Sequence, residues 1–159
     1  MITRVGVFSD SHGDKRALSE LLEKMGYLDA VCFLGDIASD ADYLESQLLA
    51  LPNHPRFYAV KGNNDWCDAP LSRIIVLGGV RIFMTHGHNQ RVKSTMYYLQ
   101  DAVRDAKCDV GLYGHTHCAD IEMSTALLVN PGAACSDRCA LLEIRDGKAH
   151  AKLLNYGFH

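Results

Sequence analysis

Apolar and β-branched residues come in short runs along this chain, and run after run stops abruptly at Asp, Asn, Gly or His. Ile2 to Phe8 reads as a strand, and from Asp14 to Met25 the residues Leu18, Leu21, Leu22 and Met25 recur at helical spacing. Ala30 to Leu34 is a short buried strand, Asp40 to Leu51 a helix stopped by Pro52, and Arg56 to Val60 a third strand. This β-α-β-α-β order predicts a parallel sheet with crossover helices. In the second half, Arg73 to Leu77 and Val80 to Thr85 form a hairpin through Gly78-Gly79. Val92 to Ala106 carries Met96, Leu99, Val103 and Ala106 at helical spacing. Strands follow at Asp109 to Tyr113, Ile121 to Met123, Leu127 to Asn130, Ala140 to Ile144 and Ala149 to Leu154, with Asp146-Gly147 turning the last pair. The pattern predicts an α/β fold of two mixed sheets packed face to face, with helices outside.

Composition narrows the class. A length of 159 residues fits a single domain, 1–159, with one sizeable core. Apolar content of 48% and charged content of 22% are those of an ordinary soluble protein. A net charge of -3 argues against a protein that coats nucleic acid or a membrane surface, since both need a basic excess. The longest apolar run, Ile74 to Val80, breaks at glycines well short of a membrane span. The N-terminal apolar stretch is too short for a signal-peptide core, so a cytoplasmic protein is expected. The six cysteines form no C-x-x-C pair and read as small hydrophobes or idle thiols.

The residues just past the strands change the picture. After the first come Asp10-Ser11-His12, after the second Gly35-Asp36, and after the third Gly62-Asn63-Asn64-Asp65. Thr85-His86-Gly87-His88 follows the hairpin, and Gly114-His115-Thr116-His117 follows the next strand. On an extended segment alternate residues share a face, so His115 and His117 are expected to aim at one spot. Taken singly, Asp10 and Asp36 read equally well as helix N-caps, Asn63-Asn64 as a turn, and His86 and His88 as core-edge imidazoles. Parallel strands carry their ligand sites at their carboxyl ends, and five strand ends in metal-ligand residue types favour one shared site over five coincidences. Gly35, Gly62, Gly87 and Gly114 would let backbone approach that site closely. Trp66, beside this set, reads as a core or interface residue before a stacking platform. His54, His150 and His159 lie in a loop or the tail and are given no role.

Nitrogen and oxygen donors without thiolate suit Mn2+, which we favour, or Ni2+, Fe2+, Zn2+ or Co2+. Seven such donors exceed what one such ion needs, and Asp36 could bridge two. Two ions roughly 3.5–4 Å apart bind a phosphoryl oxygen and an attacking hydroxide together, with no Ser or Cys nucleophile required.

The ordered set D-S-H, L-G-D, G-N-N-D, T-H-G-H and G-H-T-H, followed by N-P-G at Asn130 to Gly132, resembles the calcineurin-like metallophosphoesterase superfamily, and its small single-domain bacterial and archaeal phosphodiesterases in particular. The resemblance implies a four-layer α/β/β/α sandwich. It implies Asp10, His12 and His117 on a first metal, Asn63, His86 and His115 on a second, and Asp36 bridging, with a metal-bridging hydroxide attacking a small or nucleotide-like phosphodiester. Many members of the family carry a His after the Asn ligand, as proton donor or phosphate contact; here that position is Asn64, an amide that cannot give up a proton at neutral pH. Asp65 or His88 then stands as the alternative acid. A phosphomonoesterase with the same site is the runner-up, and a protein-interaction scaffold, as in a retromer subunit of this fold, is the third reading. The expected partner is a small phosphoester substrate, with no membrane or nucleic-acid partner, and homo-oligomerisation stays open.

Overall fold

A computed structural model of the chain describes residues 1–63, 65 and 67–157. The expectations for Asn64, Trp66 and His159 therefore fall outside the described residues. One five-stranded sheet is ordered β10-β9-β1-β2-β3 and the other β4-β5-β6-β8-β7. The first contains β1 (Thr3–Phe8), β2 (Ala30–Phe33), β3 (Arg56–Ala59), β9 (Arg138–Arg145) and β10 (Lys148–Asn155). In it β1, β2 and β3 run parallel, β9 pairs antiparallel to β1, and β10 pairs antiparallel to β9. The second contains β4 (Ser72–Leu77), β5 (Val80–Thr85), β6 (Val110–Leu112), β7 (Asp120–Met123) and β8 (Leu127–Asn130), with β5, β6 and β8 parallel. The helices are α1 (Lys15–Met25), α2 (Ala38–Leu49) and α3 (Tyr97–Asp105).

Alternation along each strand explains the layers. Val5 and Val7 of β1, with Ala30 and Cys32 of β2, point into the space between the sheets and meet Ile82, Met84, Leu112 and Val129. Their neighbours Phe8, Val31 and Phe33 point the other way, onto Leu18, Leu21, Leu44 and Leu48 of α1 and α2. On the far side, Leu99 and Val103 of α3 cover Phe83 and Leu128. The result is the expected α/β/β/α sandwich. A one-residue slip of β1 would exchange Val7 and Phe8 between two cores. Because burying a Val, Leu or Phe side chain contributes roughly 1.5–3 kcal/mol, the register of β1, and with it the position of the Asp10 loop, is strongly specified.

Two helix boundaries differ from expectation. The run from Val92 is not helical until Tyr97; residues 92–94 form turns. Val92 sits directly against Gly87, the Thr95 and Ser94 amides bond back to the Arg91 carbonyl, and Arg91 has φ 54°. Tertiary packing on the His86–His88 loop thus overrides the helical spacing of Val92 to Met96. Helix α2 starts two residues earlier than expected and ends at Leu49, before Pro52. Nor do Asp10 and Asp36 cap helices: Asp14 caps α1 through the Ala17 amide at 3.0 Å, and α2 has no side-chain cap. Asp10 and Asp36 are left for another use.

Candidate metal centre

Loops leaving the carboxyl ends of the parallel strands are laced together by backbone hydrogen bonds. The Asp10 amide donates to the Gly35 carbonyl at 2.7 Å, Gly114 to His86 at 2.9 Å, and Ala134 to Ser9 at 2.8 Å. The approach is close enough that side chains are excluded. Gly35, with φ 88°, lies where a Cβ would come within 2.5 Å of the Gly62 backbone nitrogen, and a Cβ on Gly114 would overlap Ser9 Oγ. Residues far apart in sequence are thereby brought to one spot.

Asp10 is at its centre and is fully buried. Its Oδ2 accepts from Ser9 Oγ at 2.6 Å and from the His115 amide at 3.0 Å, whereas Oδ1 has no hydrogen bond. Around Oδ1 stand three imidazole nitrogens: Nε2 of His117 at 3.2 Å, of His12 at 3.8 Å and of His86 at 3.8 Å. Asp36, also buried, places Oδ2 at 3.9 Å from His12 Nε2 and 4.0 Å from His86 Nε2. His12 and His117 are partly exposed, yet their Nε2 atoms lie only 3.1 Å apart.

Among the described residues two ligand groups emerge, Asp10 with His12 and His117, and Asp10 with Asp36 and His86, the donor atoms of each within 4.8 Å of one another. Donors about 2.0–2.2 Å from a shared ion stand roughly 3–3.5 Å apart, so separations of 3.1 to 4.0 Å need little contraction around a cation. The tautomer of His86 agrees. Its Nδ1 lies 2.8 Å from the Leu34 carbonyl, which can only accept, so Nδ1 carries the proton and Nε2 presents a lone pair. That Nε2 is buried without a hydrogen-bond partner, like Asp10 Oδ1. Two buried lone-pair atoms facing each other at 3.8 Å are costly unless something positive lies between them. The residues present fit a divalent transition ion.

Several expectations are refined here. β6 ends at Leu112, and His115 and His117 lie beyond it at φ 70° and 62°, where strand alternation no longer sets their directions. His117 faces His12 and Asp10, whereas the His115 ring packs edge-on to His86 at a centroid distance of 5.0 Å. Asn63 is exposed at the loop beside Gly62, and a Cβ on Gly62 would come within 2.5 Å of Asp36 Oδ1. Asp10, assigned by resemblance to the first metal alone, touches both ligand groups.

Asp65 is not a free acid. Its Oδ1 accepts from the Ile37 amide at 2.5 Å and its Oδ2 from the Gly62 amide at 2.7 Å, so it ties the Asp36 loop to the Asn63 loop. His88 differs: its Nδ1 is buried without a partner, and its ring is 6.2 Å from that of His115. Burial first, and the neighbouring His86 second, hold the pKa values of His88 and His115 below the ordinary imidazole value. Both rings are therefore neutral at pH 7, as ligands or proton acceptors must be. Of the cysteines, Cys32 and Cys139 are buried, with burial raising their thiols to about 12, which keeps them protonated and inert. Sequence reasoning overlooked Ser9 and the buried Asp40. A serine directly before the first Asp was the available signal for Ser9.

The chain is similar to known proteins in sequence and in fold. The model of the calcineurin-like phosphoesterase superfamily domain matches residues 3–147. A probable metallophosphoesterase of Methanocaldococcus jannaschii is 29% identical over 94% of this chain and 80% of its own length. A phosphodiesterase of the same archaeon is 27% identical over 83% and 84%. Among solved structures, a protein from Streptococcus pneumoniae described as a predicted phosphoesterase superposes with a TM-score of 0.76 at 27% identity, covering 98% of this chain and 90% of that one. Vps29 of Entamoeba histolytica shares the fold, with a TM-score of 0.72 at 21% identity over 98% of this chain and 100% of its own.

Proposed function

Because the chain belongs to the calcineurin-like phosphoesterase superfamily, we propose that the Asp10 cluster is the dinuclear metal site of a phosphodiesterase acting on a small or nucleotide-like phosphodiester. The observation that carries this is the unsatisfied pair Asp10 Oδ1 and His86 Nε2, buried between two overlapping ligand groups. Asp10, His12 and His117 hold one ion. Asp36 and His86 would hold the other, with His115 and Asn63; Asp10 belongs to both ligand groups, and the family resemblance gives the bridging role to Asp36. When bound, such ions polarise a phosphoryl oxygen and lower the pKa of water, with Mn2+ favoured for this donor set.

The chain's own groups do the rest. Ser9 Oγ and the His115 amide, both on Asp10 Oδ2, turn Oδ1 toward the histidines. The Leu34 carbonyl holds His86 in the tautomer that presents Nε2. His88, neutral and half-buried, can receive a proton or contact a phosphate oxygen. Asn64 has an amide to donate to a phosphate oxygen but no proton to give a leaving group. The archaeal relative named as a phosphodiesterase supports a diester over a monoester.

A second reading rests on the likeness to Vps29, in which the same fold would serve as a binding module. Turnover of Mn2+-loaded protein on matched mono- and diesters separates these cases. The proposal expects diester hydrolysis to dominate. Monoester preference would select the phosphomonoesterase, and two bound ions without turnover on any ester would select the module.

A further inference from the structure

His12 and His117 pose a problem that the ligand set does not solve. Both side chains are partly exposed, at 35% and 46%, on left-handed backbone at φ 47° and 62°, yet their Nε2 atoms are held 3.1 Å apart. Exposed imidazoles on such loops ordinarily sample several rotamers, and left-handed backbone at a non-glycine residue costs energy that the surroundings must offset. Two fully buried polar side chains outside the ligand set answer this.

Asp40, in the first turn of α2, reaches across to the loop after β1. Its Oδ2 accepts from Ser11 Oγ at 2.6 Å and from the Gly13 amide at 2.7 Å, the residues immediately before and after His12. Asn130, at the end of β8, does the corresponding work on the other loop. Its Nδ2 donates to Thr116 Oγ1 at 2.9 Å and to the Gly114 carbonyl at 3.3 Å, and its Oδ1 accepts from the Gly132 amide at 2.9 Å. Thr116 Oγ1 in turn accepts from the Cys118 amide at 3.1 Å. His117 is thus held through the residues on both sides of it, as His12 is. Asp40 and Asn130 are each 0% exposed.

We infer that Asp40 and Asn130 are paired positioning residues that pre-set the His12–His117 ligand pair, an inference that rests on the metal reading of this site. Neither touches an ion or a substrate. Each fixes one arm of a two-armed clamp, and the arms bring the two Nε2 atoms together at 3.1 Å. The site whose ligands are exposed is therefore ordered from beneath, before any cation arrives.

The test is titration of metal-free full-length protein with Co2+, followed by calorimetry and by the visible absorption of the bound ion, with Tm measured alongside. Asp40→Ala and Asn130→Ala should each weaken one of the two sites by roughly 10–100-fold and alter its Co2+ absorption, leaving the other site unchanged. Asp40→Asn should restore most of the affinity, because its amide oxygen can accept the same two bonds. The double variant should lose less than the product of the single losses, since both act on one pair. Ser11→Ala and Thr116→Val, milder changes that cut a single clamp contact, should show the same one-site loss if an alanine variant at Asp40 or Asn130 fails to fold. If the wild type binds two ions and every variant keeps its affinity, or if both sites weaken in parallel with Tm, this inference is overturned while the metal reading stands. Wild-type protein that binds no cation overturns both.

Discussion

Asp10→Asn is the most discriminating single change, because it separates what the carboxylate does for folding from what it does for a cation. Asp10 is fully buried, and an ionised carboxylate in that position costs several kcal/mol of desolvation. Its two hydrogen bonds, from Ser9 Oγ at 2.6 Å and the His115 amide at 3.0 Å, each return about 1.5–3 kcal/mol. Oδ1 returns nothing without a positive partner. An asparagine oxygen can accept the same two bonds, and its NH2 then replaces Oδ1 opposite the lone pair of His86. The metal-free variant should therefore unfold within a few degrees of the wild type, or above it. Loading reverses the order. At free Mn2+ about 100 times Kd, each ion bound stabilises the wild type by roughly 2.7 kcal/mol. For a chain of this size each kcal/mol is worth about 2–4 °C, so Tm should rise by roughly 5–11 °C for each site filled. The variant, having lost the anion common to both ligand groups, should gain less than half of this in a scanning-calorimetry comparison with and without chelator. A variant with the full wild-type gain, or a metal-free variant many degrees less stable, would refute the assignment of Oδ1 to a cation.

Other outcomes rest on the same geometry. His88 and His115 are held below the ordinary value of 6.5 by burial, so below pH 6.5 the unfolded chain binds protons that the folded chain refuses. Stability of the metal-free protein is fully present above pH 6.5 and is lost as pH falls through the two depressed values; Tm should drop as pH falls below about 6.5, and His88→Gln should flatten that drop. Asp65→Ala strands the Ile37 and Gly62 amides and should destabilise by roughly 1–3 kcal/mol in urea unfolding, with Asp65→Asn losing less; no change would mean water replaces the carboxylate freely. Without an ionisable donor at Asn64, hydrolysis of aryl diesters should slow steeply as leaving-group pKa rises, and Asn64→His should flatten that dependence through general-acid help typically worth about 10²–10⁴-fold. Wild-type rates insensitive to leaving-group pKa, with the dependence appearing in His88→Ala, would instead make His88 the acid.

The layers of this fold were legible because alternation in β1 and β2 assigns Val7 and Phe8, or Cys32 and Phe33, to opposite faces without reference to anything else. The site was legible for a related reason: Asp10, Asp36, Asn63, His86 and His115 each come just after an apolar run, and the carboxyl ends of parallel strands lie along one edge of a sheet. The hidden part depends on contacts between loops. Asp40 reads as one more acidic residue at a helix start, and only the packing of α2 against the β1 loop turns it toward Ser11 and Gly13. His115 and His117 look like a strand pair by spacing, but the chain has already left β6 and entered left-handed turns. The false start of α3 at Val92 has the same origin, since Val92 is held by Gly87 rather than by a helix.

Metal content measured together with turnover tests the central claim most directly. Protein stripped of metal, reloaded with Mn2+ and freed of excess ion should carry two ions per chain and hydrolyse a phosphodiester. Exhaustive chelation should abolish that activity, and Mn2+ should restore it. Diester hydrolysis that survives complete removal of metal would contradict the account.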